Sequence, residues 1–160
     1  MRLVAPAFAI LLGLSLLPGA VTAARSGYPV GGDHGAYDGV DDAALYLSSL
    51  PEGSVLYDRW LSWQWNFYLF DAPVYLAWLP SPEGLATDLA AFGHRSPRYF
   101  VVPSWEPDGE MRAAAARAGF EFVPRHRSYR RDGSLSLTVY ALTPAGPAAT
   151  QAAAPEHDQP

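Results

Sequence analysis

The sequence contains no cysteine and no lysine. The lack of cysteine excludes disulfide bonds, thiolate metal ligands and a lipid-acylated cysteine. All eleven basic residues are arginine, and the formal net charge is −5 at pH 7, which argues against nucleic acid as a partner. The apolar fraction of 49% is large enough for a hydrophobic core, so a folded domain is expected rather than general disorder.

Charge is also missing from a long segment at the N-terminus. Residues 3–24 are uncharged, and Arg2 precedes them. As a helix, this segment extends over roughly 33 Å, about the thickness of the hydrocarbon core of a membrane. Its longest stretch without proline, Ala7–Leu17, has the length of the apolar part of a signal peptide. Residues 1–24 are therefore interpreted as either a membrane helix or a cleaved signal peptide, and both place the remaining chain outside the cytoplasm.

The rest of the sequence divides into an extended segment, one domain and a tail. Residues 25–37 are rich in glycine and predict an extended leash. Residues 38–143 carry alternating helix and strand signals and predict an α/β extracytoplasmic domain. Residues 144–160 are rich in alanine, proline and glutamine, which predicts a disordered tail.

The domain is predicted as a small three-layer Rossmann-like fold, preceded by the one hydrophobic N-terminal helix. Helices are expected after a capping Asp38, over Leu61–Phe70, from Ser81 to a closing Gly93, and over Asp108–Ala118. Strands are expected at Ser54–Asp58, Val74–Leu79, Arg98–Pro103, Phe120–Arg130 and Leu135–Leu142. Right-handed crossovers make the first three strands parallel, with Ser54–Asp58 in the middle, and Asp132-Gly133 closes a C-terminal antiparallel hairpin.

Aromatic residues concentrate in one element. Four of the five tryptophans lie within nineteen residues, between Trp60 and Trp78, and the run between them carries rings on every face of a helix. Such a helix cannot bury all its rings unless it is covered on both sides. It is either a buried helix packed on the sheet, or it exposes rings to lipid headgroups, a sugar or another protein. We expect at least one ring among Trp63, Trp65 and their neighbours to be exposed.

The predicted strand order also defines a ligand crevice, beyond the C-terminal ends of the first and third strands. Six candidate ligand or partner contacts lie there or on the adjoining helix: Asp58, Trp60, Trp63, Gln64, Ser104 and Trp105. No catalytic, metal or cofactor motif accompanies them, so no catalytic residue, metal or cofactor is assigned.

A hydrolase interpretation has weak support in the sequence. It would combine Ser104 and Asp58 with His94 or His126, but Ser104 lacks the Gly-x-Ser-x-Gly motif of a nucleophile elbow. The competing structural interpretation is that Ser104 caps the helix that follows its strand. We expect the structural interpretation to hold.

Short aromatic and turn motifs follow the apolar N-terminal segment. They are Gly27–Gly32, Asp38–Asp41, Tyr57–Trp63, Phe67–Asp71, Trp78–Pro82 and Pro103–Trp105. Together they resemble the C-terminal extracytoplasmic portion of bacterial membrane glycosyltransferases similar to dolichyl-phosphate-mannose protein mannosyltransferases. The resemblance implies a polyprenyl-phosphate sugar donor, chemistry at the outer membrane face, and a retained N-terminal membrane helix. The catalytic aspartate of that family lies in a multi-spanning part without a counterpart here, so no catalytic role is transferred.

The expected function is a non-catalytic extracytoplasmic accessory domain, or C-terminal fragment, of a membrane glycosyltransferase. Expected partners are the membrane, through the N-terminal segment, and a membrane-embedded glycosyltransferase subunit or a glycan. The expected location is the cell membrane, with a single pass and the domain outside, or alternatively the secreted fraction. The alternative function is an independent secreted or membrane-anchored α/β module that binds a small ligand or a glycan.

Overall fold

The computed structural model describes residues 4–25, 35–79 and 81–146. The helices are α1 Val4–Ala24, α2 Val40–Ser48, α3 Ser62–Tyr68, α4 Pro82–Phe92 and α5 Gly109–Arg117. The strands are β1 Ser54–Asp58, β2 Val74–Trp78, β3 Arg98–Pro103, β4 Phe120–Tyr129 and β5 Leu135–Pro144. Most of the predicted leash and nearly all of the predicted tail lie outside the described residues, as do the first three residues of the chain.

The five strands form one mixed sheet in the order β2-β1-β3-β5-β4. β1 pairs in parallel with β2 and with β3, whereas β5 is antiparallel to both β3 and β4. β4 therefore runs in the same direction as the first three strands, and only β5 is reversed. The predicted α/β class, the central position of β1 between β2 and β3, and the C-terminal hairpin are confirmed.

Successive side chains of the central strands contribute to two apolar cores, because neighbouring residues of a strand point to opposite faces of a sheet. In the first core, Leu56 of β1 and Val101 of β3 pack with buried residues of α2 and α3. In the second core, Tyr57 and Phe100 pack with buried residues of α4 and α5. The central strands are therefore covered on both faces, while β2 and β4 form the two edges of the sheet.

Helix α1 lies outside both cores, and its leucine side chains are exposed. A hydrogen bond joins its C-terminal end to the β4–β5 hairpin, where Nη1 of Arg131 donates to the carbonyl oxygen of Ala24 over 3.0 Å. Side chains of this region are described at position 6 and at positions 8–25. Counting only such described residues, no helix of the chain has both the length and the apolar character to cross a membrane.

Glycines lie at the ends of two helices, at the start of α2 and at the end of α4. The predicted cap of α2, Asp38, is off by one residue, since Gly39 occupies the N-cap position with a φ of 80°. A side chain there would also collide with Ser128, whose Cβ would lie 2.9 Å from the added carbon. Gly93 is the C-cap of α4, so the predicted end of this helix is confirmed, although its φ of −56° is ordinary. Glycine is required there because an added Cβ would overlap the ring of Phe120.

Candidate functional site

The position predicted for the crevice is the point at which the chains leaving β1 and β3 diverge. The chain after β1 enters α3 in the first core, and the chain after β3 leads to α5 in the second. Such a divergence is the usual ligand position in open α/β sheets. Trp60 and Trp105 follow these two strands, and their rings meet edge to face with centroids 6.5 Å apart. Trp60 also meets the ring of Phe100 at 6.0 Å, so aromatic rings occupy this position.

Asp58, at the end of β1, is only 5% exposed and serves the turn into α3. One carboxylate oxygen accepts hydrogen bonds from the backbone N–H groups of Leu61, at 2.9 Å, and Trp60, at 3.2 Å. The other oxygen accepts from the hydroxyl of Ser62 at 2.5 Å. These donors lie in the turn between β1 and α3, at Trp60 and Leu61, and on the first helical residue, Ser62. Asp58 therefore holds the turn that leads into α3 and the backbone of Trp60.

We expect Asp58→Ala to lower the free energy of unfolding by about 2 kcal/mol, because the N–H groups of Trp60 and Leu61 lose their acceptor. Asp58→Asn keeps an amide oxygen at the same place, and we expect a clearly smaller loss. Urea denaturation of both variants measures the difference. Equal losses in the two variants would show that the negative charge, and not the acceptor, stabilises the turn.

Ser104 follows β3 and is exposed. Its hydroxyl accepts a hydrogen bond from Nη2 of Arg130 at 3.0 Å, and its backbone N–H donates to the carbonyl oxygen of Ser136 at 2.7 Å. The prediction that Ser104 caps the next helix is wrong, since α5 begins after Asp108. Ser104 instead connects the end of β3 to the β4–β5 hairpin.

The two histidines considered as a hydrolase base have other contacts. Nε2 of His126 lies 2.8 Å from the carboxylate of Asp42, and its ring stacks on Tyr46 with centroids 4.9 Å apart. The ring of His94 packs against Phe120. Among the described residues, no hydrogen bond joins either histidine to Ser104 or to Asp58. The hydrolase arrangement therefore has no support in this geometry.

Helix α3 carries apolar side chains on two faces. Its inner face, formed by Leu61, Trp65 and Leu69 at intervals of four residues, is buried in the first core. On its other side Trp63 is 88% exposed and Phe67 is exposed, and Phe70, which follows the helix, is exposed as well. We call Trp63, Phe67 and Phe70 the outer aromatic face. The expectation that at least one ring of this run is exposed is confirmed.

The predicted contact Gln64 is half-buried beside Trp63, and two further exposed rings lie on the neighbouring strand. Tyr75 and Trp78 of β2 are 69% and 65% exposed. None of Phe67, Phe70, Tyr75 and Trp78 was among the predicted contacts. The spacing of Trp63 and Phe67, at i and i+4, is a sequence signal that could have identified the exposed face of the helix, whereas Phe70 lies beyond the helix end.

A charged network links α4 to β1 and β3, and no pattern in the sequence indicated it. The carboxylate of Asp88 accepts a hydrogen bond from the hydroxyl of Tyr57 and lies 3.5 Å from Nη1 of the buried Arg98. Nη2 of Arg98 donates to the carbonyl oxygen of Phe92 at 3.0 Å, whereas its Nε has no partner among the described residues. Burial and the hydrogen bond to Asp88 raise the pKa of Tyr57 well above its ordinary value of 10.0. Tyr57 therefore stays a protonated donor.

A cavity of about 340 Å³ opens at the end of the strands opposite to the predicted crevice, where β3 begins and β5 ends. Tyr46, Tyr99 and Arg125 line it, and burial raises the pKa of Tyr99 above its ordinary value. Tyrosine rings and arginine are suited to binding a sugar or an anionic group. The sequence did not predict this cavity, because its walls come from four separate elements.

No group of three or more metal-ligating side chains is arranged to hold a metal ion within the described ranges. Comparison with known proteins finds no matching family model, no matching curated protein and no matching solved structure.

Proposed function

We propose that this chain is a non-catalytic extracytoplasmic accessory domain, or C-terminal fragment, of a membrane glycosyltransferase that uses a polyprenyl-phosphate sugar donor. The outer aromatic face is the observation that carries the proposal. Large contiguous apolar surfaces on soluble domains mark sites of contact with proteins or membranes. Trp63 and Phe67 of α3, and Phe70 just beyond its end, are exposed, whereas the inner side of this helix is packed in the core.

The N-terminal segment supports a location at the cell membrane, with a single pass and the domain on the outer side. It has no charge from position 3 to position 24, and the described leucines of α1 are exposed instead of packed on the domain. Exposed leucines are favourable in lipid and unfavourable in water. In the alternative location the segment is cleaved as a signal peptide and the domain is secreted.

The fold of the proposed accessory domain is a small Rossmann-like arrangement of three layers. It is supported by the two apolar cores, which place α2 and α3 in one core and α4 and α5 in the other. In such a fold the crevice at Trp60 and Trp105 would contact the acceptor, the glycan or the partner subunit. Asp58 already serves the turn before α3, so catalysis is assigned to the membrane-embedded partner.

We expect the full chain, purified in mild detergent from the membranes of its source cells, to bring with it an integral protein that transfers sugar from a polyprenyl-phosphate donor. The double variant Trp63→Ser/Phe67→Ser is expected to lose this partner, because it removes two rings from the outer aromatic face. Leu45→Ser is the matched control, since Leu45 is an exposed apolar residue on α2. Quantitative mass spectrometry of the three preparations measures the partner.

A chain that purifies from membranes without an integral partner, and that binds no glycan in calorimetry, would contradict the accessory role. Equal loss of the partner in Leu45→Ser would show that nonspecific hydrophobic contacts, and not the outer aromatic face, bind the partner.

The second candidate function is an independent module that binds a small ligand or a glycan, and the cavity lined by Tyr46, Tyr99 and Arg125 favours it. Intact-mass measurement distinguishes the two functions. A mature chain that starts near Ala24 indicates a secreted module, whereas an uncleaved chain indicates an anchored domain. Calorimetry with oligosaccharides, repeated on Arg125→Ala, then tests the cavity itself.

A further inference from the structure

The two edges of the sheet differ in how they resist pairing with another strand. The edge strand β4 contains Pro124, Arg125 and Arg127, and two irregularities interrupt its register with β5. Proline, charged side chains and bulges are the features by which proteins keep edge strands from pairing. The other edge strand, β2, has none of them. Its five residues are Val-Tyr-Leu-Ala-Trp, and the sequence from 72 to 82 carries no charge.

The outward side of β2 can be identified from its bonds to β1. The carbonyl oxygen of Pro73 accepts from Gly53, and the N–H of Leu79 donates to the carbonyl oxygen of Asp58. Because backbone groups alternate in direction along a strand, the odd-numbered residues of β2 face β1. The N–H and C=O groups of its even-numbered residues therefore point away from the sheet. These residues are Val74, Leu76 and Trp78.

We infer that β2 pairs with β2 of a second copy of this chain, in antiparallel orientation around a two-fold axis at Leu76. In this register Leu76 lies opposite itself, and Val74 lies opposite Trp78. These are the residues whose backbone groups point outward, so every outward N–H and C=O of the strand finds a partner. The pairing supplies about six hydrogen bonds between the chains, two for each hydrogen-bonded residue pair. It joins the two five-stranded sheets into one continuous sheet.

The side chains of β2 also complement themselves in this register. Large Trp78 lies opposite the smaller Val74, and large Tyr75 lies opposite Ala77, so each exposed ring has space beside it on the other copy. Neighbouring rings and β-branched residues across a strand pair are stabilising. A two-fold interface requires this kind of self-complementary surface. A second copy is therefore the partner that β2 fits best.

The charges that flank β2 agree with the same register. Asp71 precedes the strand and is exposed, and Arg59 follows β1 beside the other end of β2. Antiparallel pairing brings Asp71 of each chain to the end of the interface at which Arg59 follows β1 in the other chain. The two-fold axis also places both outer aromatic faces on the same side of the joined sheet. The pairing is independent of the proposed accessory role, because it depends only on β2 and its flanks.

The absence of native cysteine permits a direct test with single-cysteine variants of the full chain in mild detergent. Opposite residues of a hydrogen-bonded antiparallel pair have Cα atoms about 5.5 Å apart, within the range of a disulfide. Under mild oxidation we expect Leu76→Cys to form at least about five-fold more covalent dimer than Arg127→Cys, on the protected edge. Non-reducing electrophoresis measures the yield.

A second experiment tests the register with less change to the core. Trp78 is exposed, and Val74 is its expected partner on the other copy. A mixture of Trp78→Cys and Val74→Cys chains is expected to cross-link more than either variant alone, since neither residue lies opposite itself. Sedimentation of the unmodified chain is expected to show a dimer. The double variant Tyr75→Arg/Trp78→Arg is expected to weaken association at least about ten-fold, because it replaces both exposed rings with like charges.

Three results would overturn the pairing. The first is a monomer in sedimentation together with equal cross-linking of Leu76→Cys and Arg127→Cys. The second is cross-linking of Leu76→Cys to a different protein in place of a second copy, which would assign β2 to a partner chain. The third is that lipid vesicles protect the thiol of Leu76→Cys from labelling while the chain stays monomeric. That result would assign β2 to a membrane surface.

Discussion

Trp65→Ala is expected to lower the free energy of unfolding by about 4 kcal/mol, whereas Trp63→Ala changes it by less than about 0.5 kcal/mol. The two tryptophans are two residues apart on α3, but Trp65 is fully buried and Trp63 is 88% exposed. Removing the buried indole leaves a cavity between α3 and the sheet. Removing the exposed indole creates no cavity, because solvent fills the space. Urea denaturation monitored by far-ultraviolet circular dichroism measures both changes.

Similar losses in the two variants would contradict the orientation of α3 in the structure. The variants Trp63→Ala and Trp65→Ala also distinguish an effect on partner binding from an effect on stability. Trp63→Ala is expected to keep the fold and weaken the proposed partner contact. Trp65→Ala is expected to reduce partner binding only because it reduces the fraction of folded protein.

Asp88→Ala is expected to lower the free energy of unfolding by about 3 kcal/mol, because it leaves the guanidinium of Arg98 buried without an opposite charge. The variant also removes the acceptor of the Tyr57 hydroxyl. Asp41→Ala is the matched control, since Asp41 is an exposed acid in the first turn of α2, and its change is expected within about 0.5 kcal/mol.

The double variant Asp88→Ala/Arg98→Met shows which part of the network matters. Methionine removes the buried charge while it keeps most of the apolar volume, so we expect the double variant to recover part of the loss. A double variant as unstable as the sum of two independent losses would show that the acid and the arginine are not coupled. Thermal unfolding of the four proteins in this cycle measures the coupling.

Much of the sheet could be predicted from local sequence patterns. β1 and β3 have the predicted bounds, and β2 differs by one residue. These strands are short apolar runs that end at Asp58, Trp78 and Pro103, and such runs are interrupted where polar or turn-forming residues begin. The predicted hairpin was also found, because Asp132-Gly133 supports a tight turn between two alternating runs.

The helix between β1 and β2 is shorter than predicted, and the reason lies at both of its ends. Asp58 accepts hydrogen bonds from the backbone of Trp60 and Leu61, just before Ser62, which sets the start of α3. The chain then leaves helical geometry at Leu69, so that it can return to the start of β2. The aromatic run continues through both positions as far as the break at Asp71-Ala-Pro73, and for that reason the sequence predicted Leu61–Phe70.

The candidate site was predicted in part. Trp60 and Trp105 lie together at the switch point, because the strand order that places them there follows from crossover geometry. The contacts of Asp58 and Ser104 did not follow from sequence, since a strand-end acid or serine can serve a turn, a hairpin or a ligand equally well. The cavity at Tyr46, Tyr99 and Arg125 required residues from elements far apart in the chain.

By itself the sequence determined the α/β class, the apolar N-terminal segment and the excess of rings around Trp63 and Trp65. Each depends on composition or on a period of a few residues, which a single chain displays directly. Only the tertiary structure decided that Trp65 is buried and Trp63 exposed, that Asp88 pairs with Arg98, and that β2 lies at an unprotected edge. Those outcomes depend on which neighbours cover each face, and neighbours are assembled from distant parts of the chain.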